Sequence, residues 1–256
     1  METIEVDRAG GVVEVTLNRP DKRNAANATM WEELLAVFEE TALRPEDRVV
    51  VIAGAGGAFC SGADLTDPRA QEEQPLARMR RINKTALALH RLAKPTIAKV
   101  GGVAAGAGCN LALGCDLVVA SEDARFSEIF ARRGLSVDFG GSWLLPRLIG
   151  VHKAKELAFF ADILSAPEAE RLGIVNRVVA ADELDEFVAG WAARLAAGPP
   201  VALSMTKTLI NDGLDVSLEQ ALESEARCQS VNFATADTAE AMRAFVERRD
   251  PVFEGR

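Results

Sequence analysis

The chain has 256 residues, of which 48% are hydrophobic and 26% are charged, and its formal net charge is -9. This length fits one large domain or two small ones, and the hydrophobic content excludes a wholly disordered chain. No apolar run approaches the roughly 18 residues that a membrane-spanning helix needs. The acidic balance argues against nucleic acids and anionic membranes, so we expect neither as a partner.

The first ten residues, METIEVDRAG, are acidic and strand-like, unlike a secretory signal or an Arg-rich transit peptide. The four cysteines, Cys60, Cys109, Cys115 and Cys228, form no CxxC pair, and the chain has only two histidines. We therefore expect free, mostly buried thiols, no metal site and a reducing, cytoplasmic setting.

Alternating apolar residues over 4–7 and 12–17 flank a pair of glycines, a pattern that predicts a β-hairpin. Thr29 is the expected N-cap of a helix that carries Trp31 and Phe38 on its apolar face. A continuous apolar run over 49–53 then predicts a strand that is buried on both faces.

The middle of the chain alternates between predicted strands and helices. The polar stretch 67–75 is expected to be a loop, and 76–92 a helix. Strands are predicted at 96–100 and 116–120, with a short helix from Cys109 between them. Repeated alternation of this kind indicates an α/β fold with parallel strands.

From Trp143, itself expected in the core, the pattern is mostly helical, with one late strand at 174–179 and a helical tail over 217–246. We therefore expect a core over residues 1–195 and a C-terminal helical region over 196–256.

Two strand ends lead into glycine-rich loops, 54–57 and 101–108. Neither completes a P-loop or a GxGxxG fingerprint, and the chain has no GxSxG nucleophile elbow. Small residues let a ligand approach backbone N–H groups closely, so two such loops could form an oxyanion hole for an enolate. Two tight strand-to-helix turns explain the glycines equally well.

Several sequence motifs in a fixed order are more specific than the two glycine-rich loops alone. Residues 59–65 (FCSGADL) resemble the FxxGADL signature of the enoyl-CoA hydratase/isomerase (crotonase) family, and 95–109 resemble its second signature. The segments NRP…NA at 18–25, ARF at 124–126, LPRLIG at 145–150 and GIVNRV at 173–178 are similar to family motifs in the same order.

The resemblance implies a spiral of ββα units with a C-terminal helical trimerisation region, a homotrimer or dimer of trimers, and acyl-CoA substrates. It implies no separate cofactor, because coenzyme A is part of the substrate. The backbone N–H groups of Ala63 and Ala107 are the implied oxyanion hole. Lys22 and Arg23 are candidate contacts for the CoA phosphates, although solvated loop charges explain them equally well. Further residues implied in substrate binding are Ala25, Ser61, Gly62, Asp64, Leu65, Gly106 and Phe130.

The family's hydratases use two glutamates, and both positions differ here. Asn110 occupies the first and Phe130 the second. Hydration needs a base for the water and an acid for the carbon, so losing both carboxyls argues against it. Asn110 could bind substrate or water, or be a polar residue of a helix's first turn. Glu128 lies two residues from the second position, where a register shift would let it replace the missing glutamate, but we expect it to be a surface charge between a strand and a helix.

Asp138 offers another chemistry. Residues 134–141 (GLSVDFGG) resemble the GLxPDxGG pattern of isomerase-type relatives, in which the acidic residue moves a proton between substrate carbons. An apolar wall that includes Phe130 and Phe139 would raise the carboxyl pKa. One alternative is that Asp138 caps a helix near Ser142 or simply lies in a loop. Another is that it acts as a dehalogenase-type nucleophile, whose aromatic and His partners are not evident.

Three hypotheses follow. The first is an acyl-CoA double-bond isomerase that uses Asp138, the second is an enoyl-CoA hydratase of fatty-acid oxidation, and the third is a CoA-thioester-binding scaffold with little activity.

Overall fold

The computed structural model describes residues 1–69 and 72–256. It contains two sheets, whose strands are β1 (Ile4–Ala9), β2 (Val12–Leu17), β3 (Val49–Gly54), β4 (Thr96–Val100), β5 (Val103–Ala105), β6 (Leu117–Ser121), β7 (Arg125–Ser127), β8 (Leu164–Ser165) and β9 (Arg177–Val179). The larger sheet has the order β1-β2-β3-β4-β6-β9, and the smaller has the order β5-β7-β8.

Helices pack on both faces of the large sheet and make up most of the C-terminal third of the chain. They are α1 (Ala28–Leu43), α2 (Pro68–Glu72), α3 (Pro75–Arg91), α4 (Ala107–Leu113), α5 (Gly141–Ile149), α6 (Val151–Phe160), α7 (Ala166–Leu172), α8 (Leu184–Ala196), α9 (Pro200–Gly213), α10 (Leu218–Phe233) and α11 (Ala236–Glu247), and single 3-10 turns lie at Pro20–Lys22 and Ile129–Arg133.

Apart from the β1–β2 hairpin, neighbouring strands of the large sheet run parallel. The carboxyl ends of β3 and β4 therefore meet at the same edge, and both glycine-rich loops leave from it. The loops are in close contact, because a Cβ on Gly102 would lie 2.0 Å from the carbonyl oxygen of Gly57. Glycine is thus required where the two backbones touch.

The large sheet has an apolar layer on each face. On one face, the principal core contains the fully buried rings of Trp31, Phe38 and Phe126. On the other, β3, β4 and β6 pack against α8 through residues such as Leu184 and Val188. This two-sided burial explains why β3 and β4 are continuously apolar in sequence.

The α/β class, the hairpin and the buried strands are confirmed, whereas several local predictions are wrong. The N-cap of α1 is Asn27, whose side chain accepts from the Met30 N–H at 3.0 Å, and not Thr29. The expected loop 67–75 contains α2 and the start of α3. The helical tail is interrupted at Ala234 and Thr235. Strands β5, β7 and β8 are too short, at two or three residues, to produce a visible alternation.

The division at residue 195 stays a prediction; α8, which packs on the sheet, ends one residue beyond it. Helices α9 and α10 have no fully buried residue. Large apolar side chains are exposed along this region, among them Ile210, Leu214, Leu218, Leu222 and Phe233. Within 1–69 and 72–256, no helix is both long and apolar enough to span a membrane.

Candidate active site

Ala63 and Ala107 present unused backbone N–H groups on two adjacent loops. A Cβ built on Gly62 would lie 3.9 Å from the Ala107 nitrogen, which places the loops side by side. Neither N–H donates a hydrogen bond to another described residue. Two free donors on neighbouring loops are what a developing oxyanion needs, although their catalytic role stays a prediction.

Gly106 sets the direction of the Ala107 N–H. Its φ of 53° and ψ of −128° at the N-cap of α4 form a conformation that L side chains rarely adopt. The turn makes Ala107 the first residue of α4, where a backbone N–H has no partner within the helix. Gly106 thus contributes backbone geometry, and its own N–H is bonded to Ser127 O at 2.8 Å.

The FCSGADL loop is held in place by the NRP segment. Arg19 forms an ion pair with Asp64 at 2.8 Å, and the Ser61 hydroxyl donates to the backbone oxygen of Lys22 at 3.2 Å. The side chains of Ser61 and Asp64 therefore already have protein partners. Lys22 and Arg23 are exposed beside this loop, where a phosphate could reach them.

Ala25 and Leu65 border the same region. The N–H of Ala25 bonds to the oxygen of Lys22 at 3.0 Å, which closes the turn of the NRP segment. Leu65 is exposed and lines the first of two neighbouring cavities, together with Ala63 and Asp64.

The two cavities meet at Asp138. The first, of about 330 Å³, contains Ala63 and is bounded by α1 and α3. The second, of about 610 Å³, is lined by apolar residues of α3 and α5, with Trp143 and His90 on its wall. Met79, Ser136 and Asp138 line both. Asp138 is therefore positioned between the Ala63 loop and the larger apolar space.

A tight turn directs the Asp138 side chain into this position. The next residues, Phe139 and Gly140, have left-handed φ values of 49° and 85°. The N-cap of α5 is Gly140, without a side-chain cap, so the helix-capping alternative for Asp138 is wrong. Its Oδ1 is buried and accepts no hydrogen bond from any described residue. Burial raises the pKa of Asp138 to about 6, which suits a carboxylate that accepts protons near neutral pH.

Asn110 lies behind Asp138 and lines neither cavity within the described part of the chain. It is completely buried, and its Nδ2 donates to the backbone oxygen of Asp138 at 2.9 Å. The same nitrogen donates to Glu128 Oε2 at 3.3 Å. Asn110 is thus in contact with the turn that carries the candidate base, and direct contact with substrate stays untested.

Glu128 is the site residue that the sequence analysis missed. It is only 3% exposed, so the prediction of a surface charge is wrong. Burial raises the pKa of Glu128 to about 7, and the negative charge of Asp138 adds to the rise, although the nearby Cys109 thiol and the Asn110 amide oppose it. Its position two residues after the core side chain Phe126 could have indicated an inward direction.

Phe130 and Trp143 also differ from expectation. Phe130 is buried, but it packs against Gly106 and lines neither cavity within residues 1–69 and 72–256. The apolar wall beside Asp138 is instead formed by Phe139, whose ring contacts that of Trp31 at 4.9 Å. Trp143 is only half-buried, with the Arg147 guanidinium 4.0 Å from its ring centre.

The thiols and histidines do not form a metal centre within the described residues, where no three His, Cys, Asp or Glu side chains are grouped as ligands. Cys60, Cys109 and Cys115 are buried and free, as predicted, whereas Cys228 is half-buried. Burial raises the pKa of the Cys60 thiol to about 11, so it stays protonated at neutral pH.

Comparisons with known proteins agree with this architecture. The family model described as enoyl-CoA hydratase/isomerase matches residues 7–256. A relative from Rhodobacter capsulatus named "Probable enoyl-CoA hydratase" is 39% identical over 99% of this chain and 98% of its own. The 1,2-epoxyphenylacetyl-CoA isomerase of Escherichia coli is 36% identical over 96% of each chain.

Solved structures confirm the crotonase-like fold. The crystal structure of enoyl-CoA hydratase from Bacillus anthracis superposes with a TM-score of 0.95 at 33% identity, covering 99% of this chain and 100% of that one. The chain therefore belongs to the enoyl-CoA hydratase/isomerase, or crotonase, family of enzymes.

Proposed function

We propose that the protein is an acyl-CoA double-bond isomerase in which Asp138 carries the proton. The observation that supports this most directly is the unpartnered Asp138 carboxylate on a cavity that also contains Ala63. Asp138 removes a proton from one substrate carbon, and the N–H groups of Ala63 and Ala107 stabilise the resulting dienolate oxygen. The same carboxyl then returns the proton to another carbon, so a single acid/base group suffices.

A second carboxyl for hydration is lacking among the described residues that line the first cavity. Asp64 is paired with Arg19 at 2.8 Å. Asp67 accepts the backbone N–H groups of Ala28, at 2.8 Å, and Arg69, at 3.0 Å. Both are therefore occupied in holding loops and helix starts. Hydratase activity remains the second candidate because the R. capsulatus and B. anthracis relatives carry that name.

The second cavity provides room for the acyl group. Ala86, Leu87, Phe139 and Leu144 give it apolar walls, and apolar walls favour an alkyl or aromatic chain. With the thioester oxygen at Ala63 and the reacting carbons beside Asp138, the remainder of the chain extends into this space. Coenzyme A then enters past Lys22 and Arg23, and it arrives as part of the substrate rather than as a separate cofactor.

Trimeric assembly, as a homotrimer or a dimer of trimers, is part of this proposal. The support is the set of exposed apolar residues on α9 and α10, two helices without any fully buried residue. Such a surface is typical of an interface and unusual for a solvated helix pair. Light scattering of the purified protein tests it, and a monomer at micromolar concentration would contradict it.

The activity is tested by offering a 3-enoyl-CoA and a 2-enoyl-CoA of the same chain length and identifying the products. We expect the double bond of the 3-enoyl-CoA to move and the 2-enoyl-CoA to remain unhydrated. Hydration at roughly 1–10³ per second, the usual range for enzymes, would establish the hydratase instead. Tight binding without turnover of either compound would point to an acyl-CoA-binding scaffold.

A further inference from the structure

Glu128 is a buried acid that the proposed reaction does not use, and its surroundings contain an unusual set of unpartnered oxygens. Asn110 Oδ1, Glu128 Oε1 and Asp138 Oδ1 are all buried, and none has a hydrogen-bond partner among the described residues. Asn110 links the three residues, because its Nδ2 donates to Glu128 Oε2 and to the backbone oxygen of Asp138. Buried acceptors of this kind are costly unless a donor reaches them.

The orientation of the Asn110 amide is fixed by its partners. Nδ2 faces the backbone oxygen of Asp138 at 2.9 Å, and a carbonyl oxygen can only accept, so the nitrogen must be on that side. The second proton of Nδ2 is directed to Glu128 Oε2 at 3.3 Å. Oδ1 is therefore left without a donor, and the other oxygen of Glu128 is left without a partner.

An O–H group on Glu128 gives Asn110 Oδ1 its donor when the carboxyl and the amide pair face to face across the Nδ2–Oε2 hydrogen bond. We propose that Glu128 is a positioning residue that holds a proton at neutral pH and donates it, as an O–H group, to Asn110 Oδ1. The acid and the amide then form a reciprocal pair, which fixes the Asn110–Asp138 contact and keeps Asp138 as the single ionised carboxylate of the group. The inference rests on the proposed isomerase function and extends it to a second carboxyl.

Ionisation of Glu128 would remove this arrangement. Its proton leaves for solvent, and Asn110 Oδ1 loses its donor. A second negative charge then faces the Asp138 carboxyl and the enolate that forms at Ala63 and Ala107, and like charges in a buried site repel strongly. The burial that raises the Glu128 pKa to about 7 supports the protonated form. Activity is thus confined to the form with Asp138 ionised and Glu128 protonated.

Other titratable groups that face Glu128 do not account for a pH limb just above 7. The Cys109 thiol on α4 has a pKa raised well above its usual value by burial and by the charge of Glu128. Asp162, which lines the same small cavity as Cys109 and Glu128, is paired with Arg132 at 3.2 Å.

Asp138 faces charged groups of both signs across the first cavity and a histidine across the second. Across the first cavity, Asp138 faces Asp64 and Asp67 and, on α3, Arg78 and Arg81. Asp64 pairs with Arg19, Asp67 accepts backbone N–H groups, and Arg81 pairs with Glu73. Across the second cavity is His90, whose pKa is lowered from its ordinary value by burial.

The test is the pH profile of isomerisation for wild type and Glu128→Gln, with Glu122→Gln, an exposed glutamate outside the site, as the matched control. Glutamine can replace the protonated Glu128 in this pair, because its amide N–H donates to Asn110 Oδ1 and its amide oxygen accepts from Asn110 Nδ2. Wild type and Glu122→Gln should fall about tenfold for each pH unit above 7. Glu128→Gln should lose this alkaline limb and keep the acid limb near pH 6. Glu128→Ala, which leaves Asn110 Oδ1 without a donor, should lower kcat at every pH.

A bell-shaped profile for Glu128→Gln that matches wild type would overturn the proposal. A second measurement needs no substrate: the 13C signal of the Asp138 side chain should shift in two steps in wild type and in one step in Glu128→Gln. A single step in wild type would also overturn it. If the 3-enoyl-CoA is never isomerised, the proposed function fails by itself, and the two-step titration still decides whether Glu128 acts on Asp138.

Discussion

The side-chain amide of Asn110 donates a hydrogen bond of 2.9 Å to the backbone carbonyl of Asp138. The contact joins α4, which begins at Ala107, to the turn that carries the candidate base. One short helix therefore presents the proposed oxyanion donor at its first residue and supports the Asp138 turn at its fourth. This arrangement links the proposed oxyanion donor, Ala107, to the proposed base, Asp138.

Asp138→Asn should abolish most isomerisation while leaving the fold intact. The amide cannot accept a substrate proton, so we expect kcat to fall by about 10²–10⁴-fold, the usual contribution of a general base. The thermal midpoint should not fall, because the substitution removes a buried carboxyl oxygen without a partner. Steady-state kinetics and thermal unfolding check both points, and a variant with wild-type kcat would contradict the assignment.

Ala107→Pro deletes one proposed oxyanion donor and puts the proline Cδ in place of its hydrogen. Ala107 is the first residue of α4, a position where proline is tolerated and where the lost N–H has no helical partner. We expect kcat to fall by about 10²–10³-fold, the effect of removing one oxyanion donor elsewhere. Ala107→Gly, which retains the N–H, is the matched control. Equal activity of the two variants would show that this N–H does not bind the oxyanion.

Parts of this site whose residues are close together in sequence were easier to predict than contacts between residues far apart in the chain. The loop around Asp138 and the two glycine-rich loops were predictable, because each is a local motif with its own glycines. The partnership of Asn110 with Glu128 was not, because 18 residues separate them and strands β6 and β7 lie between. The spacing from Phe126 to Glu128 indicates an inward side chain, but over the three residues of β7 this signal is weak, and it does not identify Asn110 as the partner.

Gly141→Ala should disturb the same contact through packing. A Cβ at this position would lie 2.4 Å from Asn110 Nδ2 and 2.6 Å from Val137 Cγ1, so the amide must move. We expect a loss of stability of about 1–3 kcal/mol, typical of overpacking, together with a lower kcat. Gly190→Ala on α8 meets nothing within 4 Å and should instead stabilise by about 0.5–1 kcal/mol. Urea unfolding measures both, and an unaffected Gly141→Ala would mean that the site is looser than described.

Glu128→Gln should stabilise the protein increasingly as the pH rises. The pKa of Glu128 is raised from 4.5 to about 7 in the folded state, so its favourable contribution is complete below pH 4.5 and is lost as the pH passes through 7. The variant's advantage over wild type should therefore grow by about 3 kcal/mol between pH 4.5 and pH 8. Urea titrations at the two pH values measure it, with Glu122→Gln as the exposed control. A pH-independent difference for Glu128→Gln would show that Glu128 ionises normally.

Ala86→Phe tests where the acyl chain lies. Ala86 is half-buried on α3 and lines the second cavity, so a phenyl ring would fill part of that space. If the chain extends there beyond Asp138, kcat/KM for long or aromatic acyl groups should fall relative to that for a four-carbon substrate. The ratio should change by about tenfold or more, because a displaced chain loses at least about 1.4 kcal/mol of apolar contact. Ala77→Phe, on an exposed part of the same helix outside both cavities, is the control. An unchanged ratio in Ala86→Phe would place the chain in the first cavity alone, where Trp31 and Ile82 would limit its length.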